Sequence, residues 1–345
     1  MNIKKILAPS LGLGRTVKMG RSRPKARGPR LRLGRYLQVS LPTPPPSVDY
    51  SSKGEPALSN IYLNDKLGDC VIAGGYHIVA TETGNSGPLF TATDQQIIAD
   101  YSAIGGYVPG DESTDQGCDE PTALNYWVEH GFADGTRPLG WLAVDAANRT
   151  ELQMGLYLFE NLYFGVELPD PWVNPMPSGN GFRWDVAGDP DPNNGHCIIG
   201  VGYNDDGIQV DTWGLIGTVT WAALAKYFTP PVYGSAYVLL TPDQISTGQS
   251  KAPNGVSWDA LIADFDAMGG NVPAGGQSFN LQTITGVQQA LNYLGANPPL
   301  VVDGKDGLKT RAAIEAFQKA HGLAVDGIVG RFTRAALQLA LKAAK

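Results

Sequence analysis

The stretch GHCIIGVGYNDDGIQVDTWG (Gly195–Gly214) carries the pattern of a β-hairpin. Two apolar runs, His196–Tyr203 and Ile208–Trp213, flank the turn sequence Asn-Asp-Asp-Gly, and this arrangement predicts two antiparallel strands. His196 and Asp211 are predicted to face each other across the hairpin. A carboxylate that accepts the imidazole Nδ1–H fixes the tautomer and leaves the other ring nitrogen for a thiol. Taken alone, the pair is equally consistent with a structural hydrogen bond.

A second segment, NDKLGDCVIAGGYHIVATETG (Asn64–Gly84), places a cysteine at the start of a helix. Gly68 and Asp69 indicate a turn, and Cys70 opens an apolar helical stretch. Unpaired N–H groups and the positive end of the helix dipole favour the thiolate at such a position. A lone cysteine there is more often a small buried apolar residue. His77, two turns further along the helix, is interpreted as structural.

Cysteine, histidine and aspartate follow one another in this order, with 126 residues from Cys70 to His196 and 15 more to Asp211. The first interval is close to the ~130–150 residues of papain-type enzymes. The body of the chain therefore resembles the papain-like cysteine peptidases. D-T-W-G (Asp211–Gly214) is similar to that family's N-S-W-G, with Asp in place of the orienting Asn. Asn64, six residues before Cys70, stands where the family has its oxyanion-hole Gln.

The resemblance implies acyl transfer by a thiolate. The Cys70 thiolate attacks an amide carbonyl, and His196 protonates the leaving amine and then activates water. Asp211 orients His196, and Trp213 shields the bond between them. The backbone N–H of Cys70 and the side chain of Asn64 stabilise the oxyanion.

Some features depart from the family pattern. The nucleophile motif is G-D-C-V-I-A rather than C-G-S-C-W, so the aromatic residue after the cysteine is absent. No cysteine lies three residues before Cys70, so the family's disulfide to the Gly-Cys loop, matched here by Gly117-Cys118, cannot form. Cys118 and Cys197 are left as free thiols or as a pair. The Asp-Cys dipeptide also resembles the papain-fold peptidases of bacteriocin exporters.

The C-terminal part contains an internal repeat of D-G-x-x-G-x-x-T, at Asp303–Thr310 and Asp326–Thr333, with a period of 23 residues. Each Asp-Gly predicts a tight turn, and each Thr stands just before a helical pattern. With a preceding helix from Val287 to Leu294, the repeat predicts a three-helix bundle. Residues Val287–Leu337 resemble the peptidoglycan-binding domain of many cell-wall hydrolases. A purely structural module is the alternative.

The N-terminal part is strongly basic. Residues 1–35 hold 11 of the 26 Lys and Arg residues and no acid, so the other 310 residues carry 15 basic against 33 acidic residues. Such an acidic remainder repels polyanions, and any contact with lipopolysaccharide, nucleic acid or a virion surface would need this segment. We expect a flexible, Pro-rich leader (1–48), a catalytic body (49–245), a linker (246–280) and the C-terminal domain (281–345).

The composition excludes several classes of protein. With 345 residues the chain is long enough for two domains, and its three cysteines exclude a disulfide-built fold. No apolar run approaches the ~20 residues of a membrane helix, and the N-terminus lacks the pattern of a cleavable signal peptide. The scattered histidines and cysteines give no zinc spacing, so neither a metal nor a cofactor is expected. We expect an α+β body with a small all-α domain, synthesised as a monomer in the cytoplasm.

The sequence favours a cysteine peptidase or amidase that cleaves amide bonds in bacterial peptidoglycan. Its combination of modules resembles a phage endolysin or a bacterial autolysin, which acts at the cell wall or from a virion. Two alternatives stay open at this point: a cysteine peptidase acting on proteins, and a non-catalytic wall-binding or virion structural protein with a degenerate papain fold.

Overall fold

A computed structural model of the protein describes residues 4–7, 16–24, 31–37, 43–241 and 283–343, together with residues 244, 251, 256–258, 260, 261, 264, 279 and 281. The strands of this part are β1 (Lys4–Leu7), β2 (Thr16–Met19), β3 (Val48–Asp49), β4 (Gly140–Ala143), β5 (Leu162–Pro169), β6 (Phe182–Trp184), β7 (Pro190–Tyr203), β8 (Gly207–Thr212), β9 (Leu215–Thr220) and β10 (Ser235–Leu240). The α-helices are α1 (Glu55–Leu58), α2 (Cys70–Ser86), α3 (Asp94–Gly105), α4 (Glu120–His130), α5 (Arg149–Phe159), α6 (Asp170–Val173), α7 (Trp221–Tyr227), α8 (Ile284–Tyr293), α9 (Leu308–Ala320) and α10 (Arg331–Ala343). Short 3-10 helices cover Leu33–Arg35, Glu112–Thr114 and Pro230–Val232.

The body is built on one eight-stranded sheet in the order β4-β10-β5-β7-β8-β9-β6, with β3 added to one end of β7. Its strand pairs are antiparallel except for β6 and β9, which run parallel. The 14-residue strand β7 lies at its centre, and its apolar run from Gly195 to Tyr203 is buried on both faces. Consecutive side chains of a strand point to opposite faces, so this run contributes to a core on each side. The predicted hairpin and the predicted α+β class are confirmed.

A β-bulge in this hairpin decides which side chains share a face. Near the turn, Tyr203 pairs with Ile208 and Gly202 with Gln209, but beyond the bulge Gly200 pairs with Val210 and Ile199 with Asp211. One extra residue on β7 therefore shifts the pairing by one position. Because a shift by one residue moves every later side chain to the other face, Asp211 leaves the face of His196.

Helix α2 packs against the face of β7 that carries Cys197 and Ile199. The first 14 residues of the helix, Cys70 to Thr83, are all buried. Two glycines allow the close approach. A Cβ on Gly74 would lie 3.1 Å from the Cys197 sulfur, and one on Gly75 would lie 2.2 Å from the ring of Trp127. The helix is therefore fixed between the sheet and α4, with Cys70 at its N-terminal end.

The C-terminal domain consists of α8, α9 and α10 around a small apolar core, so the predicted three-helix domain is confirmed. Each copy of the D-G repeat is organised by one buried glutamine. The Gln288 amide N–H groups donate to Asp303 Oδ1, Lys305 O and Thr310 Oγ1, and its oxygen accepts from two backbone N–H groups of the Asp303-Gly304 turn. Gln318 makes the equivalent five hydrogen bonds to the second copy.

The described residues of the leader pack on the body. In β2, Val17 and Met19 are buried in the body's core, and Leu33 and Tyr36 are buried further along. The expectation of a flexible leader therefore does not hold for residues 16–24 and 31–37, because their apolar side chains fill the core and their cations meet acidic groups of the body.

The predicted linker also contributes to the body where the structure describes it. Val256, Trp258 and Leu261 are buried in the same core as β2. Most of the predicted linker, residues 246–280, lies outside the described residues. In the described part of the chain, no helix is long and apolar enough to span a bilayer.

Candidate active site

Cys70 is the first residue of α2 and is almost completely buried, with 2% of its surface exposed. The backbone N–H groups of Cys197 and Gly20 interact with its sulfur and favour the thiolate. Burial outweighs them and raises the pKa of the Cys70 thiol to about 12. In this arrangement the buried cysteine is held as a neutral thiol.

His196 lies on β7 and lines the same cavity as Cys70. Its Nε2 is 2.8 Å from Thr212 Oγ1, while its Nδ1 is buried with no hydrogen-bond partner among the described residues. The Trp213 ring stacks on the imidazole, with 4.3 Å between the ring centroids. Burial lowers the pKa of His196 to about 3, so the ring is neutral.

The structure does not bring Asp211 to His196. Asp211 Oδ2 lies 2.7 Å from Nδ1 of His77, whose Nε2 is 2.9 Å from the backbone oxygen of Asn60. The bulge in β7 is the cause, since it turns Asp211 toward α2 and gives its place beside His196 to Thr212. Burial raises the pKa of the Asp211 carboxyl, and the neighbouring His77 opposes that shift. His77, interpreted as structural from the sequence, joins α2 to β8 through this pair.

Trp213 owes its place over His196 to the turn between β8 and β9. Thr212 pairs with Leu215, so the loop is the two residues Trp213 and Gly214, and both have positive φ, 53° and 75°. Two-residue hairpin loops favour this conformation because its twist matches that of the strands. The Trp-Gly dipeptide therefore both closes the hairpin and covers the imidazole.

Asn64 is buried just before α2, with its side chain directed to the leader. Its amide Nδ2 lies 3.2 Å from the backbone oxygen of Lys18, and it also reaches Leu67 O and Asp69 Oδ1. The backbone oxygen of Asn64 accepts from the Lys18 N–H at 2.9 Å. Asn64 thus binds both backbone polar groups of Lys18, in a segment of the leader that lies over the cavity lined by Cys70 and His196.

That segment is the leader strand, residues 16–24, which covers Cys70. Arg21 N–H donates to Gly195 O at 3.1 Å, Ser22 N–H donates to Cys118 O at 2.8 Å, and Gly20 O accepts from Cys118 N–H at 3.1 Å. The strand therefore lies between the loop before α4, which carries Cys118, and Gly195 on β7, and it is hydrogen-bonded to both. Sequence reasoning missed this covering, and the only signal was the concentration of cations in a leader of an otherwise acidic chain.

The three cysteines are free and buried, so Cys118 and Cys197 do not form a disulfide. Among the described residues, no three His, Cys, Asp or Glu side chains are arranged to hold a metal ion.

Comparison with known families finds one match. Residues 281–337 match the family described as putative peptidoglycan binding domain. The match covers α8, α9 and the first half of α10, with both glutamine-centred turns, and does not extend into the body. A search of curated proteins found no match for the chain.

Among solved structures, the body is similar to several papain-like cysteine proteases. Xylellain, a cysteine protease from Xylella fastidiosa, is 14% identical and aligns over 64% of this chain and 95% of its own, with a TM-score of 0.46. Digestive procathepsin L 3 of Tenebrio molitor is 16% identical over 63% and 76% of the two chains (TM-score 0.44). A Carica candamarcensis cysteine protease is 15% identical over 57% and 98% (TM-score 0.38).

Proposed function

We propose that this protein is a cysteine peptidase that hydrolyses amide bonds of bacterial peptidoglycan and is held at its substrate by the C-terminal domain. One observation carries the proposal: Cys70 at a helix N-terminus shares a cavity with a buried histidine that has one nitrogen without a hydrogen-bond partner among the described residues. The leader strand directs its Gly20 N–H at the Cys70 sulfur, and its Arg21 N–H donates to the oxygen of Gly195, the residue before His196. The match of residues 281–337 to a peptidoglycan-binding family supports the choice of substrate.

The contacts support a role for each side chain. With Nε2–H donating to Thr212 Oγ1, the lone pair of His196 Nδ1 is free to accept the Cys70 proton. The thiolate then attacks the amide carbon, and His196 protonates the leaving amine. A water activated by the same imidazole hydrolyses the thioester. Thr212 thus takes the orienting role that the sequence assigned to Asp211.

The oxyanion is bound by the backbone N–H of Cys70 and the amide of Asn64. The Asn64 amide already donates to a peptide carbonyl of the leader strand, which supports this assignment. Preorganised donors of this kind contribute about 2.7–4 kcal/mol each to the stabilisation of the transition state.

Activity requires that the leader strand leave the cleft, because Cys70 is covered while it is in place. The strand position also bears on the proposed polyanion contact of the leader. Five of its cations, Lys4, Lys18, Arg21, Arg23 and Arg35, already lie within 4 Å of a carboxylate. The proposal that the leader binds a polyanion therefore applies to the leader after release from the body.

The test is to incubate purified sacculi with the full-length chain and with its Cys70→Ala variant, and to identify released fragments by mass spectrometry. A Gly20→Ala chain is included as the active form, because its added Cβ would collide with Gly68 O and so displace the leader strand. New peptide termini that depend on Cys70 are expected, and their masses would identify the amide bond that is cleaved. Binding to sacculi with cleavage of casein alone would transfer the activity to protein substrates. Binding with no cleavage of either substrate would contradict the proposed activity.

We further propose an endolysin- or autolysin-like role at the cell wall, which can be tested separately on cells. Cells exposed to the active chain should lose turgor and lyse, and the Cys70→Ala variant should bind the same walls without lysis. Intact cells after complete digestion of isolated sacculi would contradict a lytic role from outside.

A further inference from the structure

Three cations of the leader strand each meet an acidic residue of the body. Lys18 Nζ lies 2.6 Å from Asp115 Oδ2, Arg21 Nε lies 2.7 Å from Glu120 Oε1, and Arg23 Nε lies 2.7 Å from Glu167 Oε1. The first two pairs are buried, with at most 9% of any of their side chains exposed. Arg23 is half-exposed, so its pair contributes less. The two buried acids belong to the body and remain in the cleft when the leader leaves.

The Asp115 site is built by the body itself. Its Oδ1 accepts hydrogen bonds from the Tyr101 hydroxyl at 2.6 Å and from the Gly68 N–H at 2.9 Å. These donors fix the carboxylate and leave Oδ2 directed at the Lys18 ammonium. A carboxylate held in this way binds a cation without having to be ordered first.

Glu120 stands at the first position of α4, where the helix dipole favours a negative charge. Its side chain is fully buried, Oε1 accepts from Arg21, and Oε2 has no partner among the described residues. Leaving a buried charge without its partner is strongly unfavourable. Once Arg21 has left, this site therefore favours the cationic side chain of another peptide.

Between these two sites the cleft has no room for a side chain. A Cβ on Gly20 would lie 1.7 Å from the backbone oxygen of Gly68. The opposite walls are also glycines, since a Cβ on Gly117 would meet Gly20 O at 1.7 Å and one on Gly195 would meet Arg21 O at 2.3 Å. The position next to the Cys70 sulfur thus accepts glycine, with a cation site two residues before it and another one residue after it.

We infer that the leader strand occupies the cleft as a substrate would, and that the enzyme selects extended peptides in which a glycine lies between cationic side chains. Asp115 and Glu120 are the specificity-determining residues. The backbone hydrogen bonds of Asn64, Cys118 and Gly195 supply affinity for any extended chain, and the two carboxylates supply the selection. This inference rests on the proposed function and names its substrate class: peptides with the free amine of lysine or of another diamino acid near a glycine.

The test uses the full-length Gly20→Ala chain and two synthetic peptides. One has the sequence of residues 16–23, and in the other its three cations are replaced by glutamine. Cleavage gives kcat/KM for each peptide, and binding is measured by fluorescence anisotropy on the Gly20→Ala/Cys70→Ala chain. We expect the basic peptide to be preferred at least about 10-fold in both measurements, a typical effect of pairing a desolvated charge.

Glu120→Gln, which keeps the shape of the side chain, should remove most of this preference. Asp205→Asn, at a side chain that is 97% exposed, is the matched control and should leave the preference unchanged. Equal kcat/KM and equal affinity for the two peptides would overturn the inference, as would a preference that survives Glu120→Gln. Cleavage without a charge preference would leave the proposed function standing. Charge-dependent binding with no cleavage of any peptide would contradict the peptidase and preserve the specificity of the cleft.

Discussion

At the scale of single residues, the pair Cys70 and His196 is held in its uncharged state. Burial raises the pKa of the thiol and lowers that of the imidazole, so both shifts oppose an ion pair. The same two groups at the mouth of an open cleft would be hydrated, and the shifts would relax toward ordinary values. We therefore expect solvent access to control the reactivity of Cys70, and the leader strand to control solvent access.

The role of Thr212 can be tested by removing its hydroxyl. Thr212→Val keeps the shape of the side chain but leaves His196 Nε2 without its partner, so the imidazole loses its fixed orientation. We expect kcat of the Gly20→Ala chain to fall about 10-fold, a part of the 10²–10⁴-fold that a positioned base supplies, with KM little changed. Thr212→Ser should recover most of the activity, and kinetics on the peptide of residues 16–23 measure both. A kcat that does not respond to Thr212→Val would remove it from the mechanism.

The residue roles show how far the sequence could lead. Cys70, His196 and Trp213 were predicted from motif and spacing, and the structure brings them to one cavity. The prediction that Asp211 faces His196 was wrong because it assumed an unbroken hairpin register. The residue types of the hairpin do not indicate the bulge in β7. Its one extra residue places Thr212 rather than Asp211 on the face of His196.

At the scale of secondary-structure elements, the pair of His77 and Asp211 joins α2 to β8. His77→Ala would leave the fully buried Asp211 carboxylate without its partner. Breaking a buried pair from one side costs about 3–5 kcal/mol. We expect that decrease in the free energy of unfolding of the body, measured by urea denaturation with tryptophan fluorescence.

The matched control is His130→Ala, since His130 is half-exposed at the end of α4 and should change stability by less than about 0.5 kcal/mol. In the double variant His77→Phe/Asp211→Leu no charge is left unpaired, so it should be more stable than His77→Ala. If His77→Ala were as stable as the wild type, the pair would not join these elements.

The D-G repeat of the C-terminal domain makes a separate prediction. Gln318→Ala removes five hydrogen bonds at once and leaves the buried N–H of Gly327 without its acceptor. At about 1 kcal/mol for each bond, the domain should lose most of its stability. Amide hydrogen exchange in α9 and α10 should accelerate at least about 10-fold, while exchange in α2 stays unchanged. Lys319→Ala, one residue further and exposed, is the control, and unaltered exchange in Gln318→Ala would contradict the structural role of the glutamine.

For these elements the sequence was a good guide, since periodicity and turn residues placed α2, the hairpin and the three C-terminal helices. The repeat itself was visible, but its cause was not. The glutamines lie at unequal distances before the two turns they organise, Gln288 before Asp303 and Gln318 before Asp326. Only the folded arrangement shows that they are equivalent.

At the scale of the whole molecule, the charge asymmetry of the chain has a structural explanation. The basic leader and the acidic body meet in the cleft, where Lys18 and Arg21 pair with buried carboxylates. The sequence indicated the opposite charges, and the expected partner was an external polyanion. Contacts between residues almost 100 positions apart, such as Arg21 and Glu120, cannot be derived from local patterns.

The central claim is that Cys70 is a nucleophile activated by His196 once the leader strand leaves the cleft. Alkylation of Cys70 by iodoacetamide, followed by peptide mass mapping, tests it directly. A thiol with a pKa of about 12 is almost entirely protonated at pH 7, and exposure to water lowers that pKa, so opening the cleft must raise the rate at neutral pH. Gly20→Ala introduces a Cβ that collides with Gly68 O, whereas Gly179→Ala introduces one into open space and is the matched control.

We predict that Cys70 reacts at least about 10-fold faster at pH 7 in Gly20→Ala than in the wild type or in Gly179→Ala, and that its pH midpoint falls below about 12. Adding His196→Gln to Gly20→Ala should return the rate toward that of an ordinary thiol. Equal rates in the wild-type and Gly20→Ala chains, or a rate unaffected by His196→Gln, would contradict the account.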